Sequence, residues 1–270
     1  MENNTVGKRS FYKSIDAILQ SALDTLEADD GKTFEEKKKL VVQMLTEQQN
    51  ALTGRKKVKI SPEKKLPSQI RDEFWAFGEK IDAPGGVTLR TVKESDKDGF
   101  FTLQKHYSHT PAILEQEAYR NMLWSEHTEQ KSLILSIDHN GSYAGYCGIQ
   151  DLSREIWEIS IELLPEKTAQ GIGFVSISAM LDELRDRLGV IEYRIRIEPT
   201  NHASQRLFEK LGASPNGVSE LWVHDPEDLE EMETSNTNLI DDALISVARK
   251  FSVEPHTLLS HVLEYKLTWL

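Results

Sequence analysis

The sequence predicts an α/β fold, a mixed β-sheet with helices on both faces, and three observations carry that prediction. Trp157, Ile159, Ile161 and Leu163 alternate with Glu158, Ser160 and Glu162, the two-residue period of a strand. Glu166-Lys167-Thr168-Ala169-Gln170-Gly171-Ile172-Gly173-Phe174 follows as a glycine turn, and Ile177, Met180, Leu181, Leu184 and Leu188 then keep helical spacing as far as Gly189. A further strand, Val190 to Ile197, and a helix from Ala203 to Leu211 repeat the strand-then-helix order.

From the N-terminus, Phe11, Ile15, Ile18, Leu19, Ala22, Leu23 and Leu26 mark one amphipathic helix. Thr33 and Glu36 form a capping box for a second, with Phe34, Val41, Leu45 and Leu52 as its stripe. Together they predict a helical hairpin that must cover an apolar surface, either the main domain or a second copy in a homodimer. Arg55 to Pro67 is a basic linker, and Ser68 to Ile81 is expected to be a third helix. Asp82-Ala83-Pro84-Gly85-Gly86 breaks the chain, giving an N-terminal region of 1–86.

Val87 to Val92 reads as a strand, and a helical stretch runs from Glu94 to about Ser125 with a break at Thr110-Pro111. Ser132 to Asp138 and Tyr143 to Gln150 form a hairpin about Asn140-Gly141. Glu220 to His224 is expected as the last strand of a central domain spanning 87–224. Beyond it, an acidic segment and a C-terminal helical pair fill 225–270, the second helix marked by Leu258, Leu259, Val262, Leu263 and Leu267. Ala248 to Leu259 is similar to a helix-turn-helix, but its predicted second helix offers mainly His256, Ser260, His261 and Lys266 for base and phosphate contacts, in an acidic segment.

Charge narrows the function classes. The net charge is −12, and residues 219–270 alone hold three basic and eleven acidic side chains. Such a surface repels phosphate backbones, so nucleic acid is not the expected partner, and packing or dimerisation is. No apolar run reaches membrane-span length, Met1 to Ser10 lacks a signal-peptide core, and Cys147 is the single cysteine. A cytoplasmic protein with neither a disulfide nor a metal site is expected.

The glycine turn is suited to an anion. Two glycines one residue apart let a ligand approach the backbone, and the first-turn N–H groups of residues 169–174 would face it with the positive end of the helix dipole. Pyrophosphate fits such a site. Glu158 and Glu162 share the polar face of the strand before it, where they could act as a base, line a groove, or pair with Arg194 and Arg196.

Gln170-Gly171-Ile172-Gly173, the long helix and strand, then Ile197-Glu198-Pro199-Thr200-Asn201-His202-Ala203-Ser204 and Leu207-Phe208-Glu209-Lys210-Leu211-Gly212-Ala213, together resemble the GNAT superfamily of acetyl-CoA-dependent N-acetyltransferases. The pattern is most similar to its RimJ/RimL branch and covers about residues 87–224. The resemblance implies acetyl-CoA as acyl donor and a primary amine, a protein N-terminus or a small molecule, as acceptor. It implies that Ile161, Glu162 and Leu163 border a splayed strand that pairs with pantetheine, with the Leu163 N–H as oxyanion donor. Ala169, Gln170, Gly171, Ile172, Gly173 and Phe174 would hold the pyrophosphate. Asn201, with Ser204 and Phe208, would line the pantetheine path, and Glu162, with Glu158 second, would be the base.

Two positions depart from the family pattern. Thr168 stands where a glutamine or arginine opens the loop, and Phe208 replaces the tyrosine that often protonates the CoA thiolate. Phe208, Thr168 and the helix-turn-helix-like tail motivate a rival expectation, an acyl-CoA-binding regulatory or interaction protein with impaired catalysis. His106 and His109 lie where acceptor-binding helices would meet, and Cys147 is expected to be a small core residue.

Overall fold

A computed structural model describes residues 65–108, 110–220 and 224–270, with Gly31, Thr33 and Lys37 besides. The two N-terminal helices, most of the basic linker and His109 lie outside the described residues. The chain divides into two units. One holds residues 62–197, 201–215 and 264–270 and contains the whole candidate site. The described part of the other includes 198–200, 216–220 and 224–263.

In order, the elements are α1 (Pro67–Trp75), β1 (Lys80–Ala83), β2 (Val87–Thr91), α2 (Lys97–Tyr107), α3 (Glu117–Thr128), β3 (Leu133–His139), β4 (Ser142–Ile149), β5 (Trp157–Leu163), α4 (Ile172–Leu188), β6 (Glu192–Ile197), α5 (His202–Lys210), β7 (Ser214–Ser219), α6 (Pro226–Ser235), α7 (Asp242–Phe251) and β8 (Val262–Thr268). The sheet order is β1-β2-β3-β4-β5-β6-β8-β7. Neighbours from β1 to β5 are antiparallel, while β5 and β6 are parallel. This is the mixed α/β architecture expected, and β2, β3, β4, β5, α4, β6 and α5 fall within a few residues of their predicted positions.

Three expectations need correcting. The helix predicted over 68–81 stops at Trp75, and Lys80–Ala83 instead pairs with β2, Ile81 opposite Leu89. Gly78, at φ 126, turns the chain between them. An edge strand, Ser214–Ser219, forms where none was predicted, while the strand expected over 220–224 lies mostly outside the described residues. The second member of the C-terminal helical pair is a strand. Leu263, Tyr265 and Leu267 are buried while Lys266 and Thr268 are exposed, so the two-residue period prevails over the apparent helical stripe. The helix-turn-helix pattern accordingly does not form: α7 ends at a left-handed Ser252 and leads into a short 3-10 turn, Pro255–Leu259.

The core of the first unit packs α4, through Ile177, Met180, Leu181 and Leu184, beside the inward side chains Leu89, Ile137 and Ile159 of the sheet. A second cluster gathers Phe100 and Leu103 of α2, Trp124 of α3, Ile134, Tyr146 and Leu164. The start of α2 is pinned by Asp96. It takes both terminal nitrogens of Arg90 at 2.7 and 2.8 Å, the Ser136 hydroxyl at 2.7 Å and the Lys93 N–H at 2.9 Å. Burial pushes the Asp96 carboxyl up, but these donors outweigh it and hold the carboxyl low. Arg90 also grips Asp138, so the origin of α2 is fixed to β2 and β3.

Candidate active site

The opening in the sheet comes from how β5 ends. Its parallel register with β6 runs only through Trp157↔Tyr193 and Glu158↔Arg194. Its antiparallel register with β4 continues to Gly145↔Leu163. Leu164 donates its N–H to the Ala144 carbonyl at 2.9 Å, toward β4. Backbone groups alternate along a strand, so the N–H and C=O of Ile161 and Leu163 point the other way, to the edge from which β6 has diverged. The Leu163 carbonyl accepts the Tyr107 hydroxyl at 3.0 Å.

β4 makes room for this through Gly145. It sits at φ 144, and a Cβ there would lie 2.1 Å from the Glu162 carbonyl oxygen and 2.8 Å from the Leu163 Cα. No other residue permits that approach, and the register shift between Ile137 and Asp138 falls beside it.

After β5, a 3-10 turn at Pro165–Lys167 leads into Ala169 at φ 57 and Gly171 at φ 80, the N-cap of α4. A Cβ on Gly171 would meet nothing within 4 Å, so the turn faces open space, while Gly173 lies close to Ile161, Leu163 and Leu207. The first-turn N–H groups of α4 therefore stand beside an exposed turn, a setting that suits a pyrophosphate. Thr168 gives its hydroxyl to the Pro165 carbonyl at 2.8 Å, and Gln170 gives its amide to the Glu166 carbonyl at 2.5 Å. Both side chains thus brace the loop itself. Phe174 lies beneath the Lys210 ammonium, 4.4 Å from the ring centre.

Glu162 lies on the face of β5 covered by α2. Gln104 donates to its carboxylate at 2.8 Å, and the Tyr146 hydroxyl, on the directly opposed β4 residue, also bonds it. Burial raises the Glu162 pKa above the ordinary carboxylate range, and the bonds from Tyr146 and Gln104 only partly oppose that. Tyr146 is fully enclosed, and burial followed by the Glu162 charge pushes its phenol well up. Sequence reasoning missed Gln104, Tyr107 and Tyr146. Only the polar Gln104 and Tyr107, one turn apart on α2, could have signalled a polar patch there.

Glu158 has a different setting. Its two oxygens accept from Arg194 at 3.0 Å and Arg196 at 2.9 Å, the pairing held open as an alternative. Arg194 also lies 3.7 Å from Glu264 on β8. Asn201 caps α5, its side-chain oxygen accepting the Ser204 N–H at 3.1 Å. Ser204 is partly buried. Phe208 is 2% exposed and belongs to the core. Cys147 is buried with its thiol pushed up by desolvation, and His106 is exposed. Among the described residues no group of three or more His, Cys, Asp or Glu could hold a metal ion, and no helix is long and apolar enough to cross a membrane.

Residues 87–214 match the family model described as an acetyltransferase (GNAT) domain. A Bacillus subtilis (strain 168) protein, named as a candidate alanine N-acetyltransferase of ribosomal protein bS18, is 26% identical over 142 residues, 52% of this chain and 88% of its own length. Among solved structures, a RimL ribosomal-protein alpha-N-acetyltransferase in complex with coenzyme A superposes with a TM-score of 0.50 at 14% identity, covering 71% of this chain and 98% of its own. A second, described as a candidate acetyltransferase, gives 0.50 at 17% identity over 72% and 88% of the two chains.

Proposed function

We propose, from the premise that residues 87–214 are an acetyltransferase domain of the GNAT type, that this chain moves an acetyl group from acetyl-CoA to a primary amine by direct attack on the thioester. The observation that carries the reading is the divergence of β6 from β5 after Glu158, immediately before the open Gly171 turn. Backbone edge and helix N-terminus together suit a long ligand that is amide-bearing at one end and doubly charged at the other.

In this reading the exposed edge of Ile161 and Leu163 pairs with pantetheine, Asn201 holds it from the α5 side, and the first turn of α4 takes the pyrophosphate. The Leu163 N–H faces the oxygen that gains charge as the amine attacks, which is worth ~3 kcal/mol in comparable sites. Glu162 takes the amine's proton through a water, its raised pKa matching it better to that task than an ordinary carboxylate. Glu158, bound by two arginines, fixes β5 against β6 where the opening begins.

The acceptor we favour is a peptide N-terminus. An α-amine titrates near ~8 and a lysine near ~10.4, so at neutral pH roughly a tenth of α-amines but under a thousandth of lysines are already free. A single modestly shifted carboxylate can serve the first far better. The name of the Bacillus subtilis relative, a candidate alanine N-acetyltransferase of ribosomal protein bS18, runs the same way.

Calorimetric titration with acetyl-CoA, followed by thiol release against peptides, polyamines and amino acids, tests the reading. Transfer to peptide N-termini supports it. Binding without release on any acceptor would instead favour an acyl-CoA-binding regulatory protein, the alternative that Phe208 motivates, and no binding would reject both.

A further inference from the structure

Acetyl transfer leaves a thiolate that must be protonated, and Phe208, a buried hydrocarbon, cannot do it. We propose that Tyr107 is the proton donor to the departing CoA sulfur, acting with Glu162 across the opened end of β5, an assignment that rests on the acetyl-transfer reading above.

The position comes from the strand. In an extended residue the N–H and C=O point to the same edge. The Tyr107 hydroxyl, 3.0 Å from the Leu163 carbonyl, therefore stands on the same edge as the Leu163 N–H, where the thioester would be polarised. Tyr107 is the last residue of α2, and its side chain is 46% exposed, so a substrate can reach it. Rotation about its two side-chain torsions carries the hydroxyl from the carbonyl toward a neighbouring atom. Partial burial and the Glu162 charge both raise its pKa, so the phenol keeps its proton at neutral pH and acts as a donor.

Other acidic groups nearby are enclosed by the protein. Tyr146 is fully enclosed on Glu162, Tyr143 is buried with its hydroxyl facing no partner, and Cys147 lies in the sheet core. Ser160 accepts from Gln150 at 3.0 Å.

The step balances without a further reactant. The amine nitrogen forms its bond to the acetyl carbon as the carbon–sulfur bond breaks. The amine's proton passes through water to Glu162, and the phenolic proton passes to sulfur. The phenolate then regains a proton from Glu162 through solvent, leaving amide, free thiol and both side chains as they began.

The test compares the full chain with Tyr107→Phe, Ser204→Ala and a protein carrying 3-fluorotyrosine at position 107, using acetyl-CoA and a peptide acceptor that the unaltered chain acetylates. The proposal expects Tyr107→Phe to lower kcat at least ~10-fold with the acetyl-CoA Kd within twofold, and to remove the basic limb of the pH–rate profile. The more acidic fluorophenol should move that limb to lower pH. An unchanged kcat and limb in Tyr107→Phe would overturn the proposal alone, as would loss of the limb in Ser204→Ala. So would equal losses in kcat and affinity with an unmoved fluorotyrosine profile, since the hydroxyl would then merely hold β5. If the unaltered chain binds acetyl-CoA but acetylates no amine, the acetyl-transfer reading falls and this one with it.

Discussion

Gln104 donates its side-chain amide to Glu162 across 2.8 Å, joining the middle of α2 to the end of β5 over 58 residues of chain. That bond favours the ionised carboxylate, against a burial that disfavours it. Glu162 as base must be deprotonated to act, so activity should rise with pH through a limb above the ordinary carboxylate range. Gln104→Ala removes a group that lowers the Glu162 pKa, and the limb should move to still higher pH. Glu162→Gln should abolish the limb and lower kcat by ~10²-fold or more, and turnover unchanged across pH would reject the assignment.

Gly171→Ala should cost affinity more than fold. Its φ of 80 is left-handed, which costs a Cβ-bearing residue ~1 kcal/mol, and the added methyl would project into the open space at the helix N-terminus. A fall in acetyl-CoA affinity of about tenfold, measured by calorimetry, is expected alongside a Tm change of a few degrees.

Gly145→Ala should do the reverse. A Cβ 2.1 Å from the Glu162 carbonyl cannot be absorbed by a flexible side chain, so β5 must shift where Leu163 and Glu162 are positioned. Destabilisation of ~3 kcal/mol or more and loss of turnover are expected, with denaturant unfolding as the measurement.

His127 gives a pH dependence unconnected with turnover. Its ring packs against Phe100 at 4.2 Å and Tyr146 at 4.6 Å between centres, and its Nε2 is buried with no hydrogen-bond partner. Burial depresses its pKa to about 4, with Asp96 opposing weakly. A depressed histidine favours the folded state fully above its unfolded pKa of ~6.5, and that contribution is lost as pH falls through about 4. Stability should drop by about 3 kcal/mol over this window, and His127→Phe should flatten the drop.

How far the sequence disclosed this site follows from where each signal lies. The alternation of β5 and the glycine turn are local patterns, and both fall where expected. Phe208 was legible as a residue without a proton to give, though its burial was not. Gln104, Tyr107 and Tyr146 were not legible, because their roles arise only when α2 and β4 meet β5 across long separations. The strand at β8 was misread because Leu258, Leu259, Val262 and Leu263 mimic one face of a helix. Tyr265, whose hydroxyl reaches Glu209 at 2.8 Å, completes an alternation that only sheet pairing reveals.

The divergence of β5 from β6 has a consequence for how the site would respond to mutation. The groups proposed to pair with pantetheine at Ile161 and Leu163 belong to the main chain, which every amino acid except proline supplies in full. A scan that trims side chains there would leave the donors and acceptors in place and report a silent stretch. Proline at 161 or 163, or replacement of single amides by esters, would expose it instead.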